Sequence, residues 1–117
     1  MKKEKNQAYC AVDFAFQRIG GKYRGRILWY LNAHKVLRYG ELKRLLQGIT
    51  TKMLTQTLRE LEQDGMVNRK VYLEVPPKVE YSLTSASLEL IPLINELREW
   101  ADRQIIARTI SGEKIPC

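Results

Sequence analysis

Histidine and cysteine are almost missing from this chain, and carboxylates are in short supply. Among 117 residues there is one His and there are two Cys, with 13 Asp and Glu against 20 Lys and Arg. His34 falls in a polar stretch between two predicted helices, where a solvated loop residue is expected. Cys10 and Cys117 lie at opposite ends of the chain, so with His34 they form no metal-binding spacing. No metal and no cofactor is expected, and two cysteines so placed in a cytosolic chain argue against a permanent disulfide. Gly21-Lys22 lacks the upstream Gly and the following Ser or Thr of a phosphate loop. Glu60, Glu62 and Glu74 come with no visible nucleophile and base, so an enzyme is not expected. No run approaches the roughly 18 apolar residues of a membrane span, and the start, MKKEKNQ, has no apolar core of a secretion signal. A cytoplasmic protein without membrane contact is the expectation.

What the chain does have is a positive charge gathered in one region. Its formal net charge is +7. Twelve Lys and Arg stand against five Asp and Glu from Lys22 to Lys78, whereas residues 79–117 carry four against six. A basic middle and an acidic end are the electrostatic footprint of nucleic-acid binding.

Within that middle, GITTKMLTQTLRELEQDGMV (Gly48 to Val67) carries two opposed faces at helical spacing. Leu54, Leu58 and Leu61 form an apolar stripe, and Lys52, Thr55, Gln56 and Arg59 form a face able to donate to phosphates and base edges. Thr50 or Thr51 can cap the start, and Asp64-Gly65 ends the helix with Gly in the left-handed position. Upstream, LRYGELKRLLQ reads as a short helix with Gly40 as N-cap, Leu42, Leu45 and Leu46 inward, and Lys43 and Arg44 outward. Short helix, glycine turn and longer polar-faced helix make a helix-turn-helix.

Downstream, MVNRKVYLEV (66–75) alternates as a strand, with Val67, Arg69, Val71, Leu73 and Val75 on one side. Pro76-Pro77-Lys78 is a stiff turn, and VEYSLT (79–84) returns as the second strand of a wing. Helices are predicted over residues 11–18, 22–31 and, after Thr84 as a plausible cap, to about residue 107. In the last, Leu90, Ile94, Leu97, Trp100 with Ala101, and Ile105 recur at three-to-four spacing, and Pro92 bends it or limits its first turns. So much apolar surface on so small a domain wants a partner helix, either across the chain's own domain or in a dimer seam, and the dimer is favoured. The expected fold is mainly α with a small β-hairpin (α+β): a winged helix-turn-helix with a long C-terminal dimerisation helix. It occupies residues 10–107, between a flexible arm (1–9) and a flexible tail (108–117).

The mechanism these residues predict places the helix from about Thr51 to Asp64 in the major groove. Lys52 and Arg59 contact phosphate or guanine, Gln56 reads adenine, and Thr50, Thr51 and Thr55 meet phosphate or a thymine methyl. Arg38 and Lys43 anchor the backbone, and Lys78 at the wing tip reaches the minor groove. Two protomers read a pseudo-palindromic double-stranded operator. The rival reading is a winged helix that docks a protein through its hairpin or long helix without specific DNA binding.

The chain resembles the HxlR-type winged helix-turn-helix regulators of bacteria over about residues 10–101. The resemblance rests on Cys10, IGGKY (Ile19 to Tyr23), LRYGEL (Leu37 to Leu42), GITTKMLTQTLRELEQDGMVNRKVY (Gly48 to Tyr72), EVPPKVEYSLT (Glu74 to Thr84) and the C-terminal helix near Trp100. Tyr23 stands where that family usually has Trp and Ala11 where Pro is frequent. Gly40 and Ser87 stand at positions often filled by Ser and Gly. The resemblance implies a cytoplasmic, homodimeric transcription factor, usually a repressor acting near its own gene. It also implies a role for Cys10, because some members respond to electrophiles or oxidants through a thiol near the N-terminus. Lys5 and Arg18 are candidate neighbours of that thiol, Cys117 is a candidate disulfide partner, and a small buried hydrophobe is the alternative.

Overall fold

The computed structural model describes residues 10–108. The expected flexible arm, Lys5, Cys117 and the tail from residue 109 onward lie outside the described residues. Five helices and three strands follow in the order α1 (Ala11–Ile19), α2 (Arg24–His34), β1 (Leu37–Arg38), α3 (Tyr39–Leu45), α4 (Thr51–Gln63), β2 (Val67–Tyr72), β3 (Lys78–Leu83) and α5 (Ser85–Arg108). This is a winged helix-turn-helix. No described helix is long and apolar enough to cross a membrane.

The core is built from the apolar faces of α2, α3 and α4. Ile27, Leu28 and Leu31 of α2 are buried against Leu42 and Leu46, and Leu54, Leu58 and Leu61 of α4 close the layer. Ile49, in the turn between α3 and α4, is buried as well, which locks the helix-turn-helix angle. Gly48 allows that turn, with φ +87°, a conformation that costs an L side chain about 1 kcal/mol or more. At the other end of α4, Gly65 (φ +74°) follows the C-cap Asp64. The N–H of Gly65 donates to Glu62 O (3.0 Å) and that of Met66 to Leu61 O (2.9 Å), a Schellman closure.

Several expected boundaries shift for identifiable reasons. Leu37 and Arg38 do not begin the short helix; they pair antiparallel with Tyr81 and Glu80. The sheet therefore has three strands in the order β1-β3-β2 rather than a bare hairpin. Gly40 lies inside α3, and Arg38 holds the N-cap position, its N–H donating to Glu41 Oε1 at 2.8 Å. β2 ends at Tyr72, because Pro76 and Pro77 offer no N–H to a ladder and the hairpin projects past the helices that would cover it. Leu73 and Val75 accordingly lie in the wing tip, 96% and 98% exposed, and of the expected inward face only Val67 is buried. His34 is the exposed last residue of α2, which ends at Lys35 (φ 70°) rather than at Leu31.

α5 is tied to the end of α4 by hydroxyls. Ser87 N donates to Thr84 Oγ1 (3.3 Å), the cap expected of Thr84, and Thr84 Oγ1 donates to Gly65 O at 2.7 Å. Ser87, fully buried, donates through Oγ to the Met66 carbonyl, so its hydroxyl fills a role that glycine at this position could not. Beyond that anchor, α5 runs through Pro92 to Arg108, and α1 buries no residue at all.

A second tether orients α4. Arg24, in the first turn of α2, reaches Glu60 Oε1 at 2.5 Å and Asp64 Oδ2 at 3.0 Å, and its side chain is only 18% exposed. Two of the three carboxylates at this end of α4 are thereby directed at α2, while Glu62 stays exposed. Arg24→Ala should lower stability by about 1–2 kcal/mol, between the values for exposed ion pairs and buried charged hydrogen bonds. Leu54→Ala should cost about 2–5 kcal/mol, and the urea unfolding midpoint checks both.

Candidate nucleic-acid interface

The outward face of α4 follows from how the helix is held. Its N-cap is Thr50, whose Oγ1 accepts the Met53 N–H at 3.1 Å. With Leu54, Thr57, Leu58 and Leu61 buried, the exposed positions in its first two and a half turns are Thr51, Lys52, Met53, Gln56 and Arg59. No carboxylate stands among them. The first, Glu60, accepts from Gln56 Nε2 at 3.2 Å and is held by Arg24 on its other oxygen. The free N–H groups of the first turn, together with Lys52 and Arg59, give this end of the helix a positive potential.

Thr55 departs from the expected face. It is half-buried, with its hydroxyl 3.0 Å from that of Tyr39. Tyr39 has one proton and donates it to the Thr51 carbonyl (3.0 Å), so Thr55 donates to Tyr39 and has no hydroxyl proton left for a phosphate. It braces α4 on α3. Thr50 keeps its proton, since its cap bond uses it only as an acceptor. Arg38 is exposed at the start of α3, and Lys43 is half-buried on the same helix.

Lys78 is also placed differently from the expected tip position. It opens β3, paired with Tyr72, and its Nζ lies 4.3 Å from the Tyr72 ring centre and 3.8 Å from Glu80 Oε2. The Tyr72 hydroxyl donates to the other oxygen of Glu80 at 3.0 Å. The exposed cations of the hairpin are instead Arg69 and Lys70 on β2, with Lys70 Nζ also 4.9 Å from the Tyr72 ring centre. Arg69 lines a recess of about 430 Å³ together with Arg59, Glu62 and Tyr39, which brings hairpin and α4 side by side. Neither strand residue stood out in the sequence. The available signal was their consecutive placement between Val67 and Val71 of the strand.

The residues expected at a dimer seam divide into two groups. Leu90 and Ile94 are half-buried against the chain's own core, and Ala101 lines a cleft between α2 and α5. Leu97 and Trp100 remain 47% and 55% exposed, as do Leu93 (55%) and, on α1, Phe16. Phe16, Leu93, Leu97 and Trp100 line one groove of about 730 Å³ between α1 and α5. Cys10 is exposed at the N-cap of α1, not a buried hydrophobe. Arg18 stacks on the Phe14 ring at 3.8 Å. Among the described residues, no group of three or more His, Cys, Asp or Glu could hold a metal ion.

Known proteins share this architecture. Residues 18–109 match the model of the HxlR-like helix-turn-helix family. A regulatory protein of Fusobacterium mortiferum, MalR, is 45% identical over 98 residues, covering 84% of this chain and 92% of MalR. The crystal structure of the HTH-type transcriptional regulator YtcD superimposes with a TM-score of 0.78 at 46% identity, covering 83% of this chain and 98% of that one. The redox regulator HypR in its oxidised form gives 0.75 at 44% identity, covering 80% and 96%. The chain belongs to the HxlR-like helix-turn-helix family of transcriptional regulators.

Proposed function

We propose that the chain is a sequence-specific double-stranded DNA-binding repressor that acts as a homodimer on a pseudo-palindromic operator. The observation that carries this reading is the exposed face of the first two and a half turns of α4, which holds Thr51, Lys52, Gln56 and Arg59 and no carboxylate, beside Arg69 and Lys70 of the wing. Arg59 and Gln56 read base edges, the Gln56 amide exchanging its exposed bond with Glu60 for an adenine. Lys52, Thr50, Arg69 and Lys70 hold phosphates, with Arg38 and Lys43 as flanking anchors. Lys78 acts mainly by holding the ribbon through Tyr72 and Glu80.

The apolar groove between α1 and α5 is the homodimer surface in this reading. A two-fold pair sets two copies of α4 about 34 Å apart, or a multiple of that, along one face of the duplex. Cys10, exposed at the start of α1, is the thiol through which oxidants or electrophiles act. The similarity to HypR, known in oxidised and reduced forms, supports that assignment. A protein-docking reading draws on one feature, the bare apolar wing tip of Leu73 and Val75.

In selection from random duplexes, the full-length chain should return a two-fold site. Arg59→Ala or Gln56→Ala should weaken operator binding by about 1–3 kcal/mol and relax one base pair in each half-site. Arg69→Ala should weaken all sequences alike and lower the salt slope by about one. Salt-independent affinity with no preferred duplex would remove the regulator reading in favour of protein docking. Trp100→Glu should shift sedimentation from dimer to monomer and abolish operator binding at concentrations where the parent chain is saturated.

A further inference from the structure

The cleft between α2 and α5 is not part of the DNA-facing surface, and its chemistry is specific. Its volume is about 330 Å³, within the range of small-molecule sites, and Ile19, Trp29, Ile94 and Ala101 give it an apolar lining. Three cations border it: Lys22, Arg26 and Arg98. Among the described residues no carboxylate lines it; the nearby Asp102 accepts from Arg98 at 3.4 Å. Arg98 also donates to Asn95 Oδ1, at 3.3 and 3.4 Å, and its guanidinium lies 5.4 Å from the Trp29 ring.

Arg26 provides an independent sign. Its Nε is buried and has no hydrogen-bond acceptor. A buried, unsatisfied N–H on a charged group is costly, and it calls for an acceptor. Arg26 also lines the cleft, and a carboxylate there would meet its guanidinium at atoms other than the buried Nε, in the geometry that a guanidinium recognises best. The indole of Trp29 offers a flat apolar wall on which an aromatic ring can stack.

We infer that the α2–α5 cleft is a binding site for a small aromatic carboxylate, its ring on Trp29 and its anionic end at Arg26, with Lys22 and Arg98 adding positive field. A ligand there lies between two helices with separate tasks. α2 holds the acidic end of α4 through Arg24, and α5 carries Leu97, which lines both this cleft and the α1–α5 groove. Occupancy is therefore positioned to alter the spacing of the two copies of α4. The site itself goes beyond the DNA-binding reading, and the titration that tests it contains no DNA.

The probe is 1-naphthoate, with the uncharged 1-naphthamide as its near-isostere, titrated calorimetrically into the full-length protein. The expected result is saturable binding of one naphthoate per chain, with naphthamide at least tenfold weaker. Arg26→Gln should lower naphthoate affinity at least tenfold and leave naphthamide unchanged. Should Arg26→Gln fail to fold by circular dichroism, Lys22→Gln, at an exposed position, should still weaken naphthoate about threefold and spare naphthamide. Equal affinities for acid and amide, no saturable heat, or naphthoate binding indifferent to the folded variant would overturn the assignment.

Discussion

Burial of the leucine stripe of α4 is the constraint from which the rest of the architecture follows. Leu54, Leu58 and Leu61 lose nearly all contact with water against α2 and α3. At about 25 cal/mol per Å² of apolar surface, each such side chain contributes about 1.5–3 kcal/mol, more than any exposed ion pair on the molecule. Because the stripe fixes the rotation of the helix about its axis, it also fixes which residues point away. Lys52, Gln56 and Arg59 are outward because the leucines are inward. The Arg24 bridge to Glu60 and Asp64 then settles the remaining freedom and withdraws two carboxylates from the exposed side.

The same logic separates the wing from the core. β3 is anchored twice, by β1 on one side and by the buried Tyr81, whereas β2 is an edge strand whose outer half has nothing to pack on. Charged residues on such an edge discourage pairing with other strands and, in this molecule, also lie next to α4. Lys78 and Lys70 both lie over the Tyr72 ring, and Lys78 and Tyr72 also meet Glu80. A lysine flanked by prolines looks like a free tip cation only while the hairpin register is unknown.

α2 is the element through which the parts communicate. One side of it contributes the centre of the core, its first turn grips α4, and Arg26 and Trp29 border the cleft under α5. α1 and much of α5 are apolar yet uncovered, which is unfavourable for an isolated domain and is the surface that the proposed two-fold pair would bury. A regulator needs its DNA-reading helix to respond to events elsewhere. In the proposed reading, a helix shared by core, cleft and α4 provides a mechanical route for that response.

Much of the fold was legible along the chain because its signals are local. The i, i+4, i+7 leucines, the threonine cap and the glycine closure together specify α4 within a residue of its observed ends. Charge distribution likewise located the basic region without any contact being known. β1 was not legible: two residues carry no periodicity, and Leu37 becomes a strand only because Tyr81 is there to pair with it. Nor was the inward turn of Thr55, which depends on Tyr39 in another helix.

By itself, then, the sequence determined the helix-turn-helix, the wing and the outward side of the first turns of α4, since spacing, capping and charge act within a few residues of one another. Only tertiary structure decided which cations are free, which leucines are spent on the chain's own core, and that three cations surround an apolar cleft. Those outcomes depend on residues tens of positions apart arriving at the same place, and packing sets them rather than pattern.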